Sequence, residues 1–163
     1  MTDIRRATLD EVPAIAAVHA RAHLETYQPL LGTMTRALDV GAQEQLWRQA
    51  LADGDLVLVA TVSGNIVGVG HARRHRMQAL YLLAAYRRRG IGKLMLTKIL
   101  RLLHQDGIPE MEFDVFALNA NAIAFYRACG ARQTGSVRNT DPAGDYDDAT
   151  FSIATNLWTQ RLP

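Results

Sequence analysis

Apolar residues along the chain fall into short β-branched runs and longer stretches where they recur every three or four positions. The first pattern reads as strand and the second as amphipathic helix. Ile4 to Ala7 reads as a first strand. Val12, Ile15, Ala16, His19 and Ala22 then recur at helical spacing. Ahead of them, Thr8-Leu9-Asp10-Glu11 has capping-box form with Thr8 as the cap; Asp10 is the alternative cap and would place Pro13 in the first turn. A proline inside a helix removes a backbone hydrogen bond, so this helix is expected to end before Pro29, in a loop from Tyr27 to Gly32. A second helix is expected from about Ala37 to Leu51, carrying Leu46, Trp47 and Ala50.

After a break at Asp53-Gly54-Asp55 the pattern changes. Leu56 to Val62 and Ile66 to His71 flank the turn Ser63-Gly64-Asn65 as a β-hairpin, and Ala79 to Leu83 is a further strand. Ile91 to Gln105 has the clearest helical pattern, with Ile91, Leu94, Met95, Ile99, Leu102 and Leu103 on one face and Gly107 and Pro109 as stop signals. Met111 to Leu118 reads as strand and Asn121 to Cys129 as a short helix with Gly130 just past its end. Ala131 to Arg138 and Thr150 to Leu157 read as strands around a polar turn, Asn139 to Asp148. This order, β-α-α-β-β-β-α-β-α-β-β, implies one α/β (α+β) domain over residues 1–163. Its mixed, mostly antiparallel twisted sheet has about seven strands and about four flanking helices.

Composition narrows the function classes. The 163 residues suffice for a core without staples, and 48% apolar with 21% charged residues argues against disorder. Eighteen Lys and Arg nearly balance sixteen Asp and Glu, for a net charge of +2. That is too little for a nucleic-acid-coating protein, so the basic residues point to a pocket. Cys129 is the single cysteine, compatible with a reducing compartment. The polar N-terminus and the lack of a long apolar run imply no membrane span and a cytoplasmic location.

The basic residues concentrate at Tyr86-Arg87-Arg88-Arg89-Gly90-Ile91-Gly92-Lys93, between an apolar strand and the strongest helix. Helix N-terminal amides lack internal partners and carry partial positive charge, and glycine lets a ligand approach the backbone closely. A strand feeding such a turn is a phosphate site. It is neither a P-loop, since no Ser or Thr follows Lys93, nor a dinucleotide fingerprint, since the third glycine is missing. His19-x-x-x-His23 and His71-x-x-x-His75 lack a third ligand or an accompanying glutamate, so no metal is expected. Arg73-Arg74-His75-Arg76, a second basic cluster, reads as a solvated hairpin end.

The pattern Arg87-x-x-Gly90-x-Gly92 after Leu80-Tyr81-Leu82 resembles the acetyl-CoA signature of the GNAT N-acetyltransferase superfamily. Asn119-Ala120-Asn121-Ala122 with Phe125-Tyr126-Arg127-Ala128-Cys129-Gly130 resembles its second motif. Ala84, where proline is common, and Ala131, where phenylalanine is frequent, depart from the pattern at positions that affect packing. The resemblance implies a GNAT-like fold and acetyl-CoA as co-substrate, with a pantetheine arm pairing with free backbone groups of Leu82 and Leu83. It implies a pyrophosphate on the amides from Arg88 to Lys93 (including Arg89, Gly90, Ile91 and Gly92), with Arg87 and Arg89 favoured over Arg88 for side-chain contact. It also implies that Asn119 and Asn121 bond the arm, although helix capping explains one of them.

By the same resemblance Tyr126 assists departure of the thiolate; a phenol of pKa about 10 can protonate a thiolate of pKa about 8.5. The competing reading of Tyr126 is a core tyrosine. Base candidates are Glu25, His71 and Asp114, and Tyr27 and Glu25 lie where the family builds its acceptor wall. The activity implied is acetyl transfer to a primary amine, small-molecule or peptidyl, by direct attack in a ternary complex. A non-catalytic acyl-CoA sensor is the alternative. Nucleic acid and membrane are not expected partners, and dimers are common in the family.

Overall fold

The computed structural model of the chain describes residues 1–141 and 144–159. The elements are β1 (Thr2–Arg6), α1 (Val12–Leu31), α2 (Val40–Ala52), β2 (Leu56–Val62), β3 (Asn65–Arg73), β4 (Arg76–Leu82), α3 (Ile91–Gln105), β5 (Glu110–Phe116), α4 (Ala120–Ala128), β6 (Arg132–Asp141) and β7 (Gly144–Ala154). This is the expected order, with seven strands and four α-helices in a mixed, mostly antiparallel α/β arrangement. The contacts group into two compact units, Met1–Ile99 and the residues from Leu100 onward.

In the first unit the strands run in the order β1-β2-β3-β4, each antiparallel to the next. Val12, Ile15 and Ala16 of α1 and Trp47 and Ala50 of α2 bury their apolar stripes against Val57, Val59 and Val69. Helix α3 meets the same strands through other residues. A side chain at Gly68 would lie 2.9 Å from Leu82 Cδ1 and from the Tyr81 carbonyl oxygen, and 3.2 Å from Met95 Sδ. At Gly70 it would lie 3.0 Å from Ile99 Cδ1. These two glycines let Met95 and Ile99 settle directly onto the backbone of β3.

The second unit orders its strands β5-β7-β6, again antiparallel. Strand β5 alternates strictly: Met111, Phe113 and Val115 are buried while Glu110, Glu112 and Asp114 are exposed. Phe113 packs 4.4 Å from the Tyr126 ring and 5.7 Å from that of Phe151. Thr155, fully buried, donates its hydroxyl to the Ile108 carbonyl at 2.6 Å, which satisfies it.

Several boundaries differ from expectation, each for a physical reason. Helix α1 runs through Pro29 to Leu31. Proline this close to the end removes one backbone bond, and Gly32, at φ +57° with its N–H on the Gln28 carbonyl, terminates the helix. The expected loop is therefore helix. Helix α2 starts at Val40, later than the expected Ala37, because Asp39 caps it by accepting the Ala42 N–H at 2.7 Å. Of the two caps weighed for the first helix, Thr8 heads a short 3-10 turn, where its N–H is bonded by Glu11 at 3.0 Å. Arg5 grips that glutamate through both oxygens, and its hydrogen bond lowers the carboxyl to about 2.

Strands β3 and β4 extend toward each other, Arg73 pairing with Arg76, across a tight turn in which Arg74 takes φ +53°. The polar stretch expected as the turn Asn139–Asp148 is largely strand. Its polar side chains bond across the ladder: Asn139 to Asp148 at 2.9 Å, Thr140 to Asp145 at 2.8 Å and Arg138 to Asp145 at 3.3 Å. Such cross-strand pairs replace an apolar pattern. Positions 142 and 143, inside the expected turn, lie outside the described residues. Among the described residues no helix is long and apolar enough to cross a membrane.

Gly68→Ala is expected to lower unfolding free energy by about 1–3 kcal/mol, because the new methyl meets backbone as well as side chains. Gly135→Ala, where a Cβ meets nothing within 4 Å, should be nearly neutral. Urea unfolding of both variants checks this; equal midpoints would show that α3 does not depend on the close approach.

Candidate functional site

The functional candidates of the first unit gather where β4 gives way to α3. Leu82 lies opposite Gly68, and the next residue, Leu83, donates its N–H to the Val67 carbonyl at 2.9 Å. Backbone groups alternate sides in an antiparallel ladder, so those of Leu82 point away from β3. The free Leu83 amide expected for a ligand arm is thus corrected: it belongs to the sheet, and the Leu83 carbonyl accepts from Tyr86 at 2.9 Å. A 3-10 turn, Ala84–Tyr86, follows, and Arg87 returns its own N–H to the Ala84 carbonyl.

Beyond it the chain bends through two left-handed residues, Arg88 at φ +62° and Gly90 at φ +79°. Arg88 is not glycine, so its conformation carries local strain. Arg88, Arg89 and Gly90 are exposed, and a Cβ at Gly90 would meet nothing within 4 Å. The first turn of α3 has no acidic residue, and its first intrahelical acceptor, the Gly90 carbonyl, takes the Leu94 N–H. The amides of Ile91, Gly92 and Lys93 precede any such bond. Arg89 lies over the Tyr86 ring at 5.4 Å. A basic, exposed turn with open space at its glycine, leading into a helix start, fits a pyrophosphate.

Arg87 behaves differently from the expectation of a side-chain phosphate contact. Its Nε donates to the Leu82 carbonyl at 2.9 Å, and its Nη2 donates to Thr26 Oγ1 at 3.0 Å and to the Ala22 carbonyl at 3.4 Å. Glu25, from the same turn of α1, accepts the Ala84 N–H at 2.7 Å and the Arg21 Nε–H at 2.9 Å. Burial pushes the Glu25 carboxyl up, but the Ala84 amide and Arg21 outweigh it and hold it below the usual carboxylate range. Both oxygens of Glu25 are engaged.

Tyr27 lies on α1 with His19 and His23 at four-residue intervals, so the three share one helix face. The His19 ring stands 4.6 Å from Tyr81 and 5.5 Å from Trp47, His23 lies 4.7 Å from Tyr27, and His71 lies 5.5 Å from Trp47. The rings build an aromatic wall, which only the i, i+4, i+8 repeat of His19, His23 and Tyr27 could have signalled. Burial, assisted by His23, lowers His19 to about 4. His71 Nε2 meets Asp55 Oδ2 at 2.7 Å, and Arg73 bonds the same oxygen at 2.9 Å. Burial pushes Asp55 up, but these two partners more than offset it.

In the second unit Asn119 caps α4 by accepting the Ala122 N–H at 3.1 Å, while Asn121 is exposed on its first turn. Tyr126 is 7% exposed among Phe113 and Phe125, and its carbonyl accepts from Ala131 just beyond the helix. Asp114 accepts from the Thr150 hydroxyl at 2.8 Å.

The fold defines a class: seven-stranded α/β proteins in which a glycine turn leads from a strand into a helix. Within that class, the chain belongs to the Acetyltransferase (GNAT) family, whose family model matches residues 12–131, and membership makes it an acyltransferase. An L-ornithine N5-acetyltransferase of Arabidopsis thaliana is 36% identical over 56 residues, 34% of this chain and 25% of that protein. The chain therefore matches only a quarter of that curated relative's length. The ribosomal-protein-alanine N-acetyltransferase of Brucella melitensis shares the fold with a TM-score of 0.75 at 22% identity, over 93% of this chain and 99% of that one. A phosphinothricin acetyltransferase of Sinorhizobium meliloti does so with a TM-score of 0.73 at 18% identity, over 94% and 88%.

The aromatic wall gives a stability prediction. His19 has a folded value of about 4 against 6.5 ordinarily, so the unfolded chain binds a proton between these values that the folded chain refuses. Stability is therefore full above about pH 6.5 and falls toward pH 4, by on the order of 2–3 kcal/mol. Urea unfolding across that range should show this slope, and His19→Phe should flatten it. An unchanged slope in the variant would remove His19 as its source.

Proposed function

We propose that residues 1–163 act as one N-acetyltransferase domain that moves an acetyl group from acetyl-CoA to a primary amine by direct attack in a ternary complex. The observation that carries this reading is the exposed, left-handed turn at Arg88 and Gly90, opening a basic helix start with no carboxylate in its first turn. The Sinorhizobium structure is of a complex with acetyl-CoA, which supports the same ligand here. Bound acetyl-CoA supplies an activated acetyl thioester.

The chain's own residues supply the rest. The amides from Arg88 to Lys93 hold the diphosphate, with the Arg88, Arg89 and Lys93 side chains adding charge. The outward-facing N–H of Leu82 orients the pantetheine arm, and Asn119 and Asn121 are carried over from the second motif for the same arm. Tyr126 Oη holds the proton that a departing thiolate needs. Glu25 has both oxygens engaged, which leaves His71 and Asp114 to accept the amine's proton. The acceptor is a small-molecule or peptidyl primary amine; the relatives' names cover ornithine and a ribosomal-protein alanine.

Acetyl-CoA at a hundredfold over its Kd should stabilise the protein by about 2.7 kcal/mol, and Gly92→Asp should abolish that shift in a thermal melt. Thiol release measured against an amine panel should show turnover. Tyr126→Phe should lower kcat by roughly 10²–10⁴-fold with acetyl-CoA binding retained. Equal kcat in wild type and variant would discard the role of Tyr126, and no thiol release with any amine would favour an acyl-CoA sensor.

A further inference from the structure

The motif arginine Arg87 spends its guanidinium on protein. Three acceptors from two elements converge on it: Leu82 at the end of β4, and Thr26 and Ala22 in α1. Thr26 is itself oriented, since its hydroxyl proton goes to the Ala22 carbonyl at 2.7 Å. Its lone pair is thereby turned toward Arg87. One residue away, Glu25 reaches the same turn from the opposite charge, accepting the Ala84 N–H at 2.7 Å while Arg21 holds its other oxygen. A cation on α1's carbonyl and hydroxyl, and an anion of α1 on the turn's amide, tie the two segments from both sides. The Arg87 and Thr26 partners are half-buried, where such bonds are screened little.

The segment so tied is the one that needs tying. The residue after Arg87 is the strained Arg88, which persists only if its neighbours over-determine it. We infer that Arg87, Glu25 and Thr26 are positioning residues, a clamp from helix α1 that holds the β4–α3 turn in its phosphate-receiving shape without touching the phosphates. This rests on the CoA reading above for its purpose, but the clamp itself is a property of the free protein.

The test compares Thr26→Val, Glu25→Ala, Glu25→Gln, Arg87→Ala and Arg87→Lys. Titration calorimetry with CoA should give a Kd raised about threefold to tenfold in Thr26→Val and Glu25→Ala, each of which loses one hydrogen bond to the β4–α3 turn. Glu25→Gln, which keeps an oxygen for the Ala84 amide, should recover most of the loss. Arg87→Lys keeps the charge but cannot reach three acceptors, so it should bind as weakly as Arg87→Ala. The salt dependence of Kd should stay that of the wild type in both, because no phosphate contact is lost. Hydrogen exchange in the ligand-free variants should quicken at the amides from Arg88 to Lys93.

A Thr26→Val variant with wild-type Kd and exchange would overturn the clamp. So would an Arg87→Lys variant that binds normally while Arg87→Ala binds weakly with a flatter salt dependence, which marks a direct phosphate contact. If the wild type binds no CoA, the functional reading falls, and the exchange rates alone still decide the clamp.

Discussion

A helix start can receive an anion only where its first amides are left without side-chain cover while the apolar face of the helix packs. Helix α3 packs that face through Met95 and Ile99, which rest directly on backbone because β3 carries glycine at 68 and 70. The turn before it, Arg88 to Gly90, lies exposed, with open space at Gly90. Much else in the first unit follows from holding that geometry. The left-handed Arg88 turns the chain out of β4, and a residue in that conformation costs on the order of 1–3 kcal/mol unless its surroundings enforce it.

Helix α1 supplies that enforcement and serves two faces at once. Residues 22 to 26 bond the turn through Arg87 and Ala84, while His19 and His23 present rings toward Tyr81. The helix can do both because it continues through Pro29. Had it ended before that proline, the turn holding Glu25 and Thr26 would lose its last intrahelical bonds, and the side chains fastening the glycine segment would stand on a frayed end. Burial lowers both His19 and His23, because a charged ring there would lose hydration that the hydrogen bonds to Gln43 and to the Arg36 backbone only partly offset.

The glycine turn, the Asn119 cap and the Tyr126 helix were legible in the sequence because each depends on local chemistry. Glycine where φ is positive, asparagine before a helix and a 3.6-residue period act over a few residues. The boundaries of α3 and β2 were read off directly for the same reason. The β6–β7 hairpin was not, since its strands are held by polar side chains that bond only once the ladder has formed. Helix α1's passage through Pro29 was likewise hidden, because a proline in the last turn removes only one backbone bond and Gly32 ends the helix just beyond it.

By itself the sequence determined the element order, the glycine turn before α3 and the two motifs that mark the family, all written in spacing along the chain. Only the tertiary structure decided what the side chains of that turn and wall are for. Arg87 reads as a phosphate ligand until Thr26 and the Ala22 carbonyl, more than sixty positions earlier, claim it. Glu25 reads as a base until Ala84 and Arg21 occupy both its oxygens. The histidines of α1 read only as a pair at helical spacing with no third ligand until Trp47, Tyr81 and Tyr27 place them in an aromatic wall. The physical reason is common to all three: a residue's type sets which bonds it can make, and its partners across the fold set which ones it does make.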